Sequence, residues 1–214
     1  MMKKYAMGID IGGTNTAFGL VDEDGNVIAE GKISTEKYRF FDDYQPYIEA
    51  LASAMKTLIA SQPECNLIGI GVGAPNANIH TGLIETPANL WKFENPNDNR
   101  SDSIRIFNFV EDLGKHFDGV KVMITNDANA AAIGEMVFGN ARGMKDFAMI
   151  TLGTGLGSGI VYNGEMVYGT TVLQVNMVIL LLSHARLVVY VVAVAEVAWR
   201  HMYLLLASSA QPSS

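Results

Sequence analysis

Three stretches of the chain gather residues whose types and spacing could do chemistry. The first is DIGGTNT, Asp10 to Thr16. Its paired glycines, Gly12 and Gly13, let backbone N–H groups approach an anion closely, and Thr14 and Asn15 add short polar side chains. An acidic residue at the end of a strand, here Asp10, is placed to hold a hydrated Mg²⁺. The same residues could make an ordinary hairpin turn. They match neither the Walker A pattern nor GxGxxG. The second stretch, LGTGLGSG from Leu152 to Gly159, repeats the strand–glycine turn–strand arrangement with Gly153, Thr154 and Gly155 at its centre. The third is TNDANAAA, Thr125 to Ala132, in which Asp127 follows Asn126 and opens a run of alanines. Asp127 could cap that helix. It could also be a general base taking a proton from a substrate hydroxyl, an effect worth about 10²–10⁴-fold. Two glycine turns, one in each half of the chain, favour the base and suggest two lobes gripping a nucleotide.

A fourth stretch, Gly73 to Phe93, carries Asn76, Thr86 and Asn89 near Trp91. Short amide and hydroxyl side chains beside an aromatic suit a polyhydroxylated ligand, and Asn and Pro also serve turns. His80 reads as an exposed loop residue, because no second His or Cys stands at metal-site spacing.

These residues need positioning elements. The sequence predicts strands over Tyr5–Asp10, Asn15–Val21, Val27–Ser34 and Asn66–Gly73. Helical spacing of Ile48, Leu51, Met55, Leu58 and Ile59 predicts a helix from about Asp43 to Ile59. A loop-rich segment runs from Asn76 to Asp102. A helix over Val110–Phe117, a strand over Val120–Thr125, a helix over Ala128–Phe138 and a hairpin over Phe147–Gly169 follow. The order is that of an α/β protein with two similar lobes.

Composition narrows the function classes. With 214 residues the chain has room for a substantial core. Its net charge of −7 and lack of any Lys/Arg run argue against a nucleic-acid partner. The single cysteine, Cys65, excludes an intrachain disulfide framework and reads as a small packing residue in a reducing compartment. The N-terminal apolar run is broken at once by Asp10 and the glycines, so the start reads as cytoplasmic rather than as a signal peptide.

Taken in order and spacing, DIGGTNT, GAPN, the NLW loop, NDANAAA and LGTGLGSG resemble the ROK family of bacterial sugar kinases, its glucokinase members above all, over residues 1–169. The resemblance implies the actin-like (ribonuclease-H-like) ATPase fold, two α/β lobes with ATP and sugar between them. It implies a first lobe over residues 1–118 and the start of a second over 119–169. Carried over by position, Asp10, Gly12, Gly13, Thr14 and Asn15 form the first phosphate loop, and Gly153, Thr154 and Gly155 the second. Asn76, Thr86, Asn89, Asn126 and Asp127 meet the sugar, and Asp127 is also the catalytic base. The implied cofactors are ATP and Mg²⁺, with Asp10 holding the metal through water. The implied reaction moves the γ-phosphoryl group to the 6-hydroxyl of a hexose such as glucose. Fructose and N-acetylated hexosamines remain alternative substrates. A sugar-binding regulator of the same family would carry a helix-turn-helix ahead of DIGGT, and only nine residues precede Asp10.

The family pattern continues with a glycine-rich Glu/His sugar clamp and a zinc knuckle, and neither motif occurs in these 214 residues. From Thr170 the chain turns into Val, Leu and Ala instead. Its apolar runs, Val178–Leu182 and Leu187–Ala195, are split by Ser183-His184-Ala185-Arg186, whereas a membrane span needs about 18–20 apolar residues in a row. No membrane partner is expected. Adding one base between the codons of Gly169 and Thr170 permits HDGFAGEYGH from Thr170 onward and LCGCGRRGCLE across Val189–Arg200. Both reproduce family motifs at their family positions. Residues 170–214 are therefore expected to be frame-shifted, with the second lobe truncated, activity poor and the homo-oligomer common in the family lost.

Overall fold

The protein is described from a computed structural model, covering residues 3–38, 44–62, 64–85, 90, 106–152, 156–168 and 189–191. Five strands form the first sheet in the order β3-β2-β1-β4-β7. They are β1 (Lys3–Ile11), β2 (Asn15–Val21), β3 (Val27–Ser34), β4 (Cys65–Gly73) and β7 (Lys121–Thr125). Strands β1 to β3 are an antiparallel meander, and β4 and β7 continue parallel to β1. Strand β1 is the central strand and buries Tyr5 to Ile9 on both faces, as its near-continuous apolar run requires. Edge strand β3 buries no residue fully, and its side chains alternate between half-buried and exposed.

Helix α1 (Gln45–Ala60) starts with Pro46 in its first turn, where the missing N–H costs nothing. It lays Tyr47, Ile48, Leu51, Ala52 and Met55 into the core beside Met7, Ile9, Leu20, Ile70 and Val72. Cys65 is half-buried and packs against this core. Short strands β5 (Ile84–Glu85) and β6 (Ile106–Phe107) pair antiparallel and bring the two ends of the intervening segment together. Helix α2 (Phe109–Gly114) stops earlier than the Phe117 expected from sequence. From there His116 N–H bonds Leu113 O and Phe117 N–H bonds Gly114 O, so i→i−3 bonds tighten the last turn.

Helix α3 (Asp127–Val137) connects the first sheet to a second one, whose described strands run β10-β9-β8-β11. These are β8 (Phe147–Leu152), β9 (Leu156–Tyr162), β10 (Glu165–Met166) and β11 (Val189–Val191). An Asn163-Gly164 turn with both residues at positive φ joins β9 to β10. The backbone of β11 runs parallel to β8, so three residues of the Val-rich tail add a strand there. Strand β7, assigned from sequence to the second lobe beyond residue 118, is hydrogen-bonded to β4 and completes the first sheet. Its local sequence fixes a strand, but only the parallel pairing with β4 decides the sheet. Among the described residues, no helix is long and apolar enough to cross a membrane.

Candidate active site

The parallel strands β1, β4 and β7 end together. In register, Asp10 lies opposite Gly73, and Gly73 lies opposite Thr125. Asn126 and Asp127 follow Thr125, and Pro75 and Asn76 follow Gly73, so residues from three predicted motifs share one sheet edge. Ligands in open α/β sheets bind at this place, outside the carboxyl ends of parallel strands. Two strand spacings separate the backbones of Asp10 and Thr125, about 10 Å.

Helix α3 packs over the end of β4: a Cβ on Gly73 would make ordinary contact with Asp127 Cα at 3.6 Å and Ala130 Cβ at 3.4 Å. Asn126 is the N-cap of α3, and its Oδ1 accepts the Ala128 N–H at 3.0 Å. The capping role considered for Asp127 thus belongs chiefly to its neighbour. The Asp127 carboxylate also accepts the Ala128 N–H, at 2.8 Å. Its side chain is exposed to solvent on one side. Burial raises its pKa above the ordinary carboxylate range, and the Ala128 N–H partly offsets this. Asp10 is half-buried, and its pKa is pushed up to about 6, first by burial and then by the charge of Asp127.

The turn after β1 is tightly built. Gly12 N–H donates to Asn15 O at 3.0 Å, and a Cβ on Gly12 would stand 2.9 Å from that oxygen. Thr14 O accepts from Thr35 N–H at 2.9 Å and Glu36 N–H at 3.3 Å. Gly12's own amide is therefore spent on the turn. The backbone N–H groups of Gly13 and Thr14 have no partner among the described residues, and these two can face a phosphate.

Asn76 has a φ of 55° and follows Pro75, with Ala77 N–H bonded to Ala74 O at 3.3 Å. Proline at the second position and positive φ at the third are the requirements of a type II turn, and Asn tolerates that backbone. The Asn76 carbonyl is fixed by Glu85 N–H at 3.1 Å, which ties the turn to β5. Thr86, Asn89, Trp91, Gly153, Thr154 and Gly155 lie outside the described residues. His80 is exposed, as expected, and its ring meets Tyr168 edge-on at 6.2 Å.

Sequence reasoning missed three features. Thr125 Oγ1 and Asn129 Oδ1, both buried beside the Asn126–Asp127 corner, have no hydrogen-bond partner among the described residues. Thr16, Thr35 and Tyr47 form a buried hydroxyl cluster beneath the turn. Finally, Gly157 and Gly159 of LGTGLGSG are packing positions. A Cβ on Gly157 would stand 2.4 Å from Thr151 Oγ1 and 3.0 Å from Ala128 Cβ, and one on Gly159 would stand 2.5 Å from Ala132 Cβ. These two, on one face of β9, are packing glycines that admit the alanine face of α3, a face the period of two and the i,i+4 alanines already encode.

The residues fit Mg²⁺. Asp10 is a hard oxygen donor with an acidic neighbour and no described cation beside it, and Mg²⁺ characteristically uses one or two carboxylates plus water and phosphate oxygens. No cluster of three His, Cys, Asp or Glu side chains able to hold a metal alone occurs among the described residues.

Sheet order, antiparallel β2 and the carboxylate pair at the strand ends define an α/β protein of the actin-like ATPase fold, which the solved neighbours share. The ROK family model matches residues 6–174, and the chain belongs to the ROK family. It is similar to a glucokinase of Streptomyces coelicolor, 32% identical over 160 residues, covering 75% of this chain and 44% of that protein. A beta-glucoside kinase of Listeria monocytogenes is 34% identical over 161 residues, covering 75% of this chain and 47% of its own length. The crystal structure of a ROK family glucokinase from Streptomyces griseus, in complex with glucose and AMPPNP, superposes with a TM-score of 0.61 at 28% identity. That match covers 80% of this chain and 48% of the other. The chain thus spans about half the length of the relatives it matches.

Proposed function

We propose that this sequence encodes an ATP-dependent hexose kinase, with glucose as the preferred acceptor. The observation that carries the reading is the shared strand edge: Asp10 at the end of β1 and Asp127 just beyond β7 lie at one end of the parallel strands, and the charge of Asp127 acts on Asp10. In this reading Asp127 accepts the proton from the sugar's 6-hydroxyl, and its raised pKa makes it a better base than an ordinary carboxylate. Gly13 and Thr14 amides orient the phosphates from one side, and Gly153, Thr154 and Gly155 do so from the other. Asn76, Thr86 and Asn89 contact sugar hydroxyls. Asn126 joins them through its amide nitrogen, because its oxygen is committed to the cap. Bound Mg²⁺, held by Asp10 through water, would neutralise charge on the transferring phosphoryl group. Names of relatives support a glucoside or hexose acceptor and divide over which one.

We further propose that residues 170–214 are read one base out of frame. The family match ends at residue 174, within five residues of the seam. Without the Glu/His clamp, the 214-residue polypeptide should turn over hexose far more slowly than the protein with the frame restored. A coupled assay of both, with DNA sequencing across codons 169 and 170, tests this. Equal turnover would sink the frame reading. Sugar binding without any ATP consumption by the restored protein would favour a regulator instead.

A further inference from the structure

The hydroxyl cluster beneath the first glycine turn has no part in the roles above, yet it is built like a fixture of the site. Tyr47 comes from helix α1, is wholly buried, and places its OH 2.7 Å from Thr16 Oγ1. Thr16 Oγ1 in turn lies 2.8 Å from Thr35 Oγ1. Both threonines are buried as well. Each is next to a structural hinge of the turn. Thr16 pairs in register with Ile11, immediately outside Gly12–Asn15. Thr35 supplies, with Glu36, the N–H groups that hold Thr14 O. A hydroxyl has one proton to give, so Thr16 can donate to only one of its two neighbours and must accept from the other. The three groups therefore form an ordered chain. Burial raises the Tyr47 pKa, and the negative charge of Asp10 raises it further, which places the phenol within electrostatic reach of the carboxylate. It stays protonated and able to donate.

We propose that Tyr47 is a positioning residue for the anion-binding turn. Through Thr16 and Thr35 it fixes where the free amides of Gly13 and Thr14 point. This inference rests on the reading of that turn as a phosphate site. The cluster ties together α1, β2 and the end of β3, so the turn cannot shift without breaking a buried hydrogen bond. A core phenylalanine would fill the same volume, so packing alone does not call for the hydroxyl.

The test uses the whole 214-residue chain and the variants Tyr47→Phe, Thr16→Val and the double variant, with Mg·ADP as probe. Two quantities are read: the Mg·ADP dissociation constant and amide hydrogen exchange at Gly12, Thr35 and Glu36, the N–H groups that hold the turn. Tyr47→Phe should weaken Mg·ADP about tenfold, the upper range for one buried hydrogen bond. It should also speed exchange at those three amides while leaving β4 and β7 protected. In the Thr16→Val background the same change should add little, because the path through Thr16 is already cut. Thr16→Ser keeps the hydroxyl and should behave as the parent. Unchanged affinity and unchanged exchange in Tyr47→Phe overturn the proposal, as does an equal effect in the Thr16→Val background. If neither this parent nor the frame-restored protein binds Mg·ADP, the phosphate-site reading fails, and the exchange data alone decide whether Tyr47 holds the turn. Should Tyr47→Phe not fold, Thr35→Val, which cuts the other arm, must speed exchange at Gly12, or the proposal falls.

Discussion

Replacing Asp10 with Asn should stabilise the folded protein at neutral pH even as it removes the proposed metal ligand. The pKa of Asp10 is raised from 3.8 to about 6 in the folded state. The folded protein thus binds the Asp10 proton more tightly than the unfolded chain does. Between about pH 4 and pH 6 the folded state carries the extra proton, so stability falls as pH rises through that window. Above it Asp10 is ionised in both states, and the full cost of a half-buried carboxylate facing Asp127 is present. A rise from 3.8 to about 6 corresponds to about 3 kcal/mol at about 1.4 kcal/mol per tenfold. Solvent screening of the half-buried carboxylate reduces this to about 1–2 kcal/mol. Urea unfolding of parent and Asp10→Asn, followed from pH 4 to pH 8, reads the difference. The variant should be the more stable by that amount at pH 7.5, and the gap should close near pH 4. Equal stabilities at pH 7.5, or a less stable variant, would refute the electrostatic picture of the site.

The other expectations concern separable parts of the same edge. Asn126→Ala should cost about 1 kcal/mol in urea unfolding, because the N-cap of α3 is lost. Asp127→Asn keeps the cap and removes a carboxylate whose pKa burial raises and whose charge acts on Asp10, so it should stabilise the folded protein at neutral pH while lowering kcat of the frame-restored protein about 10²–10⁴-fold. Gly159→Val should destabilise by about 1–3 kcal/mol in the same unfolding assay, its new Cβ meeting Ala132 Cβ at 2.5 Å and Ala128 O at 2.9 Å. Gly114→Ala, with nothing within 4 Å of the added methyl, should be neutral or stabilise by up to about 1 kcal/mol.

Much of this architecture was legible in the chain because its signals are local. The continuous apolar runs of β1 and β4, the helical spacing of Ile48, Leu51 and Met55, and the turn chemistry of Gly12-Gly13 each carry their own physical reason. The motifs also located Asp10 and Asp127, and the parallel register brings those two to one edge. What escaped depends on partners far away in sequence. Tyr47 reads as one more residue of an apolar helix face until Thr16 is found under its hydroxyl, 31 residues distant. Glycine spacing alone does not separate a phosphate turn from a packing face, so Gly157 and Gly159 became distinct only beside Ala128 and Ala132. Strand β7 announces itself locally, but its membership of the first sheet follows from pairing with β4.

One measurement bears most directly on the central claim. The reading frame is restored by one base between codons 169 and 170, and the protein is given Mg·ATP and glucose, with product followed by ³¹P NMR. The account predicts glucose 6-phosphate, and a rate at least about 10²-fold lower in the Asp127→Asn variant. No phosphorylated hexose, or turnover indifferent to Asp127, would contradict it.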